Sequence, residues 1–341
     1  MHGIGYTPYI SLNGGRWIMN SLTRLISLAR RGVINYFQHR PFCVSFEITH
    51  DCNARCRHCH RGGKADTHRA RPEEFAARFH ELKPLSVQIS GGEPLLRKDV
   101  DLIIEMLKQP DGTPYIIFVT NGALLTRDRY LELRKAGVDE FSVSLDYPDE
   151  RHDEFRRIPG LFRHLETVIA QLTAENERAV TLNCVVQHDN YRELISLAEL
   201  ARRWGVSINF SPYTWLRTHD KNYMIPPGEL PEFERIIGEL NEFNHGNKTV
   251  RTSDSMFREM VEFFRNESIP GCRAGERFLV VNPDATFSPC GLIMTDYSSW
   301  KELKEGFTST NTCTFCHTAI RGNTEKPPLK LIAGAVRSLQ A

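Results

Sequence analysis

The stretch "EITHDCNARCRHCHRGG", residues 47–63, sets three cysteines, Cys52, Cys56 and Cys59, within eight residues, right after an apolar run and among Arg and His. Thiolates this close can hold a metal centre, but three are one short of a closed four-ligand site. His50, His58 or His60 could complete a zinc site, so the triplet alone leaves zinc, a redox thiol group and an iron–sulfur cluster open. An iron–sulfur cubane held by three cysteines would keep one iron free for a small molecule.

Working outward, the cysteines follow directly on "CVSFEIT" (43–49), the first of six strand-like runs. The others are "LSVQIS" (85–90), "YIIFVT" (115–120), "EFSVSLD" (140–146), "VTLNCVV" (180–186) and "VSINFS" (206–211). Helical patterns such as "PEEFAARFHEL", "KDVDLIIEMLK" and "LFRHLETVIAQLTAEN" separate them. Strict alternation predicts an α/β fold with a parallel sheet and crossover helices, here a partial (β/α)6 TIM-like barrel over 43–245. Its chemistry belongs at the C-terminal strand ends, where the cysteine loop falls. The second strand ends in "SGGEP", whose Gly91 and Gly92 let the backbone approach a ligand closely, followed by Glu93 and Pro94. Asn121 ends the third strand, and Ser144 and Asp146 end the fourth. Polar groups on successive strands thus face one mouth.

The spacing Cys52-x3-Cys56-x2-Cys59 after strand one, with "GGEP" after strand two, resembles the radical S-adenosylmethionine (SAM) superfamily. The resemblance covers roughly residues 43–245 and implies a [4Fe–4S] cluster on the three cysteines with SAM chelating the open iron. Reductive cleavage of SAM would then give methionine and a 5′-deoxyadenosyl radical that takes hydrogen from an organic substrate. By the same resemblance Gly91, Gly92, Glu93 and Pro94 meet the SAM amino group. Asn121 belongs to the cofactor mouth, Ser144 faces the ribose or carboxylate, and Arg156, in "HDEFRRIPG", faces the carboxylate. The residue before the last cysteine, commonly aromatic and near adenine, is His58 here. An electron donor such as flavodoxin or ferredoxin is implied as partner.

A second group, Cys272-x17-Cys290 and Cys313-x2-Cys316, supplies four thiolates in a region from 246 to 322 too poor in apolar residues to stand without a staple. Four thiolates serve zinc or a closed cluster equally well. "NPDATFSPC" is similar to the start of the SPASM and twitch extensions of some radical SAM proteins, and the few remaining cysteines fit the twitch type with one auxiliary [4Fe–4S] cluster. Ala285 stands where a Gly is usual in that turn. The wide first gap and closing C-x2-C resemble the twitch of an alcohol-oxidising dehydrogenase of this superfamily, although the gap before the closing pair is shorter here. Oxidation would need a proton acceptor, for which Asp146, Asp189 and Arg217 are the candidates along the mouth. Cys43 and Cys184 lie inside strand-like runs and are expected to pack as small hydrophobes.

Net charge is +1 over 341 residues, which argues against nucleic acid as partner. No signal peptide or membrane span is evident, and disulfides are not expected of the nine cysteines, so a cytoplasmic protein is expected. Residues 1–42 carry five arginines and no acid. Within them Ile18, Leu22, Leu25, Ile26, Ala29, Val33 and Phe37 recur at helical spacing, with Arg24 and Arg31 toward the other face. This segment reads as a helix closing the barrel bottom with a solvated charged face, or as a peripheral contact with an anionic membrane. The tail 323–341 again mixes Lys and Arg with apolar residues. Substrates left open are a small metabolite, a peptide or a lipid. The rival of another class is a non-catalytic iron–sulfur or zinc protein serving electron transfer or scaffolding, which would have no use for "GGEP".

Overall fold

The computed structural model describes residues 14–60, 66 and 68–325, with side chains from residue 23 onward. The tail from 326 and residues 1–13 lie outside the described residues, as do the side chains of Arg16, Ile18 and Leu22.

Six strands follow the expected runs to within two residues at either end: β1 (Cys43–Thr49), β2 (Ser86–Gly91), β3 (Tyr115–Thr120), β4 (Glu140–Ser144), β5 (Val180–Val186) and β6 (Ser207–Pro212). The crossovers carry α2 (Pro72–Leu82), α3 (Val100–Leu107), α4 (Arg127–Ala136), α5 (Arg151–Arg156), α6 (Leu161–Ala174) and α7 (Leu194–Arg203), after an N-terminal α1 (Gly14–Phe37). The strands pair in parallel, β1 with β2 and so on to β6, as helical crossovers require. Together they form an open TIM-like barrel.

Burial alternates along β2, β3, β4 and β6, whereas β1 is buried throughout. Val87, Ile89, Ile116, Phe118, Phe141, Val143, Ile208 and Phe210 are buried in the main hydrophobic core with helix residues such as Phe75, Ile103, Leu133, Leu165 and Leu197. Most positions between them are partly exposed to the bore and are polar, such as Gln88, Ser90, Ser142, Ser144, Asn183 and Ser211, while β3 and β5 contribute Val119 and Val185. Side chains this short leave the bore open instead of filling it with branched apolar residues.

Beyond residue 247 the chain does not leave the sheet. After α8 (Leu230–Asn247) and α9 (Asp254–Asn266), β7 (Phe278–Val281) returns to pair in parallel with β1, and β8 (Phe287–Ser288) pairs antiparallel with β7. The sheet order is β6-β5-β4-β3-β2-β1-β7-β8. At the β6 edge, the Ile208 amide donates to Thr249 and the Arg251 amide donates to Ile208, so part of that edge is covered. Two short helices, α10 (Trp300–Gly306) and α11 (Ala319–Thr324), complete the C-terminal region.

The turn between β7 and β8 is closed by the Ala285 amide donating to Asn282 O at 2.9 Å. Ala285 sits at φ 62°, a left-handed conformation that glycine adopts without cost. Ala285→Gly is therefore expected to raise stability by up to about 1 kcal/mol, the relieved strain slightly exceeding the added unfolded-state entropy. Thermal unfolding of the two proteins side by side measures it.

Helix α1 crosses the N-terminal ends of the strands, and its rotation differs from the amphipathic reading. Arg24 reaches inward to Asp139 at 2.7 Å, Arg31 donates to the Pro84 carbonyl at 3.3 Å, and Asn35 donates to the carbonyls of Pro41 and Lys83 at 2.9 Å each. Carbonyls at the starts of strands need donors, and these side chains supply them. Ile26, Val33 and Phe37 consequently face solvent, at 58%, 51% and 75% exposure.

Candidate active site

Cys52, Cys56 and Cys59 lie in the loop that leaves β1. Arg97 anchors this strand end, donating to the Ile48 carbonyl at 2.7 Å and to the Ala70 carbonyl at 2.5 Å. Each of the three sulfurs faces an N–H donor: the Ala54 amide at 3.4 Å from Cys52, Arg156 Nη1 at 3.6 Å from Cys56, and Arg217 Nη1 at 3.9 Å from Cys59. Donors aimed at sulfur suit thiolates bound to a metal centre. Burial pushes the Cys52 thiol up to about 11 and raises Cys56 against the pull of Arg156. Thiols held protonated in this way ionise when a cation binds. Among the described residues no three His, Cys, Asp or Glu side chains close on one point as a single ion requires. A cubane instead takes each thiolate at a separate corner.

Gly91 and Gly92 are required by the loop itself. A Cβ on Gly91, whose φ is 136°, would strike the Thr49 carbonyl, and one on Gly92 would strike those of Asp51 and His50. The Gly92 amide donates to Thr49 O at 2.7 Å and the Glu93 amide to Asp51 O at 2.8 Å. With these two amides spent, what this turn can offer a ligand is carbonyl oxygen, an acceptor suited to an ammonium group. Gly92→Ala is expected to cost roughly 2–3 kcal/mol, the range for backbone-level clashes. A lower denaturant midpoint with an unchanged slope would report it.

Glu93 departs from the expected ligand geometry. It is fully buried and accepts from Thr120 Oγ1 at 2.7 Å, the Asn121 amide at 2.8 Å and the Leu95 amide at 3.1 Å. Burial raises its pKa, with these donors pulling the other way. Its carboxylate braces the ends of β2 and β3 together and does not line the cavity described next, while Pro94 opens a short 3-10 turn behind it.

A cavity of about 340 Å³ opens at the C-terminal ends of the strands, and all three cysteines, Gly91, Gly92, Asn121, Ser144, His58, Arg156 and Arg217 line it. His58 stacks on Phe155, with centroids 4.9 Å apart and planes at 11°. Burial, aided by the Arg156 and Arg217 cations, holds its pKa well below the usual histidine value. Asn121 bridges to the loop through Asn53 at 2.7 Å. Arg156 is clamped by Asp146, with Nε at 2.7 Å and Nη2 at 2.6 Å from one carboxylate oxygen. Burial opposes its charge, but the Asp146 and Cys56 neighbours outweigh this and keep its pKa raised.

Of the three candidate bases, Asp146 is wholly buried behind Arg156 and accepts an amide hydrogen bond from Val185 at 3.2 Å. Asp189 lies near the surface beside His188, at 3.2 Å, and is not on the cavity wall. Arg217 alone of the three lines the cavity.

Cys272, Cys290, Cys313 and Cys316 line this same cavity. The Cys272 thiol donates to Cys313, which lowers Cys313 and raises Cys272, while burial pushes Cys316 up to about 12. The Ile293 amide points at Cys290 Sγ, 3.4 Å away. Arg217 sits between the groups: its charge acts on Cys290, and a Cβ on the adjoining Gly291 would lie 3.6 Å from its Nη2. Cys43 and Cys184 are buried in strands, as expected of core thiols.

Sequence reasoning missed several residues that shape this site. Arg321 is 1% exposed and donates to the carbonyls of Cys316, Ile269 and Pro270, tying the two arms of the second group together. Arg97 and Thr120 do comparable work near the first group. The polar bore and buried Glu47 could have been found as polar residues at every second position of otherwise apolar strands.

Comparison with known proteins agrees with this geometry. Residues 46–201 match the family model for the Radical SAM superfamily. AdoMet-dependent heme synthase of Methanosarcina barkeri is 28% identical over 281 residues, covering 74% of this chain and 77% of that protein. PqqA peptide cyclase of Bradyrhizobium diazoefficiens is 27% identical over 265 residues, covering 73% and 66%. The crystal structure of Streptococcus suis SuiB bound to S-adenosylmethionine superposes with a TM-score of 0.62 at 16% identity, covering 80% of this chain and 67% of that one, a likeness of fold. The cysteine triplet at the end of β1, set in an open parallel barrel, thus lies within the stretch, residues 46–201, that matches the Radical SAM superfamily.

Proposed function

We propose that Cys52, Cys56 and Cys59 hold a [4Fe–4S] cluster with SAM at its open iron, and that Cys272, Cys290, Cys313 and Cys316 hold an auxiliary [4Fe–4S] cluster facing the same cavity. The observation that carries this is the single cavity lined by all seven cysteines. When bound, the first cluster supplies the electron that cleaves SAM reductively to the 5′-deoxyadenosyl radical. Gly91 and Gly92 offer carbonyls to the SAM amino group, and Arg156, held by Asp146, meets its carboxylate. Ser144 and Asn121 hydrogen-bond the nucleoside from the strand ends, and His58 packs toward adenine. Glu93 and Pro94 act through the turn they stiffen.

Substrate occupies the polar bore between the two cysteine groups, where it gives up a hydrogen atom. A cluster held by Cys272, Cys290, Cys313 and Cys316 would supply an electron acceptor for oxidation or support for bond formation. A peptide is the substrate class that the PqqA peptide cyclase relative favours, with a small metabolite or a lipid as alternatives. An electron donor such as flavodoxin or ferredoxin and a peripheral membrane contact complete the proposed partners. Among the described residues, no helix is long and apolar enough to cross a membrane.

Anaerobic reconstitution, iron and sulfide counting, and incubation with SAM and a strong reductant test the reading. About eight irons per chain, as two cubanes require, and formation of 5′-deoxyadenosine are expected. Replacing Cys313 and Cys316 with Ala should remove about half of that iron while SAM cleavage persists. Loss of zinc instead would overturn the auxiliary cluster.

A further inference from the structure

Half of the large apolar side chains that the described residues leave exposed fall on one helix. They are Ile26, Val33, Ile34, Tyr36 and Phe37 on α1, against Leu96, Leu102, Leu124, Met294 and Phe315 elsewhere. Ile26, Val33 and Phe37 follow at seven- and four-residue spacing and form a stripe, with exposed Arg30 one turn after Ile26. A contiguous apolar stripe on a helix is uncommon on a monomer surface and marks a surface that meets something.

The charge around it selects the occupant. Residues 1–42 hold five arginines and no acid. Arg24 and Arg31 are turned inward onto Asp139 and Pro84, so the helix is fixed to the barrel with its apolar stripe outward. A nucleic acid would pair with Arg30 but leave Ile26, Val33 and Phe37 in water. A second copy related by a two-fold axis would set two arginine-bearing helices, themselves without an acid, against each other. An anionic lipid surface satisfies both features, taking the apolar side chains below the headgroups and the guanidinium among them.

The position of α1 adds a direction. It packs on residues that precede strands: Pro84 before β2, Gly112 before β3 and Asp139 before β4. The cysteine loop leaves the other end of β1. We infer that α1 seats this enzyme on an anionic membrane surface with its cysteine-lined mouth turned away from the bilayer, so that substrate enters from the aqueous side.

Co-sedimentation of the full chain with phosphatidylglycerol/phosphatidylcholine vesicles, and with phosphatidylcholine alone, tests the contact without needing any cluster. Binding to the anionic vesicles is expected, weakened by salt and reduced at least tenfold in Val33→Asp/Phe37→Asp, whose circular dichroism and melting should match the parent. Arg30→Glu should lower the anionic preference specifically. Equal binding by the double variant, or no binding by the parent, overturns the inference. So does a parent dimer that becomes monomeric in the double variant while neither sediments with vesicles. For the direction, Phe37→Trp should gain fluorescence quenched by brominated lipid, whereas Met294→Trp, near Cys290, should not. Quenching at Met294 would overturn the orientation while leaving the contact intact.

Discussion

Cys56→Ala should abolish SAM cleavage, by at least ~10³-fold, corresponding to ~4 kcal/mol of lost transition-state stabilisation. Cys56 is the sulfur toward which Arg156 Nη1 points, at 3.6 Å, and Arg156 is in turn held by Asp146. Removing the sulfur takes away one corner ligand of the proposed first cluster and also the anion that Arg156 faces. Iron should fall by about four per chain while the second cysteine group keeps its share. Measuring 5′-deoxyadenosine by chromatography alongside iron separates the outcomes. A Cys56→Ala protein that still cleaves SAM would sink the ligand assignment.

Asp146→Ala should be the most destabilising single change at the site. Its carboxylate and the Arg156 guanidinium are both buried, at 0% and 8% side-chain exposure, and 2.6 Å apart. Removing one member of such a pair strands the other charge out of water, at a cost of about 3–5 kcal/mol. The Asp146 carboxylate also accepts from the Val185 amide, so β5, and α5 through Arg156, both lose their anchor at the end of β4. The urea midpoint should fall accordingly. The double replacement Asp146→Ala/Arg156→Met should recover part of the loss, since it leaves no unpaired charge. A surface role for Asp146, as a proton acceptor in solvent contact, would instead predict little change in stability.

The architecture was legible because its signals are local. Each strand is a short apolar run between helical patterns, and the cysteine loop is a compact motif joined to one of them. Ala285 could be singled out from the sequence, and its φ of 62° gives the physical reason that glycine is favoured there. What stayed hidden depends on contacts far apart in the chain. Nothing near Glu93 announces that Thr120 and Asn121 will satisfy its carboxylate across 27 and 28 residues. Arg24 reads as a solvated charge until Asp139, 115 residues away, is placed beside it. Arg321 looks like an ordinary helix residue, yet it holds carbonyls 51 and 52 residues upstream.

The pairing of β7 with β1 bears on how such proteins can be recombined. Because Cys43 to Phe46 run in register with Phe278 to Val281, the strand that launches the first cysteine loop has the C-terminal region as its neighbour on one side. Cutting the gene near codon 246 to graft a different C-terminal unit would leave β1 as a bare edge with unpaired backbone groups, a template for aggregation. A working chimera would have to bring its own β7, matched residue for residue to the host's β1. The two halves are thus inherited as a pair, and a change of substrate by exchange of parts is easier in the loops beyond β8 than at the apparent boundary.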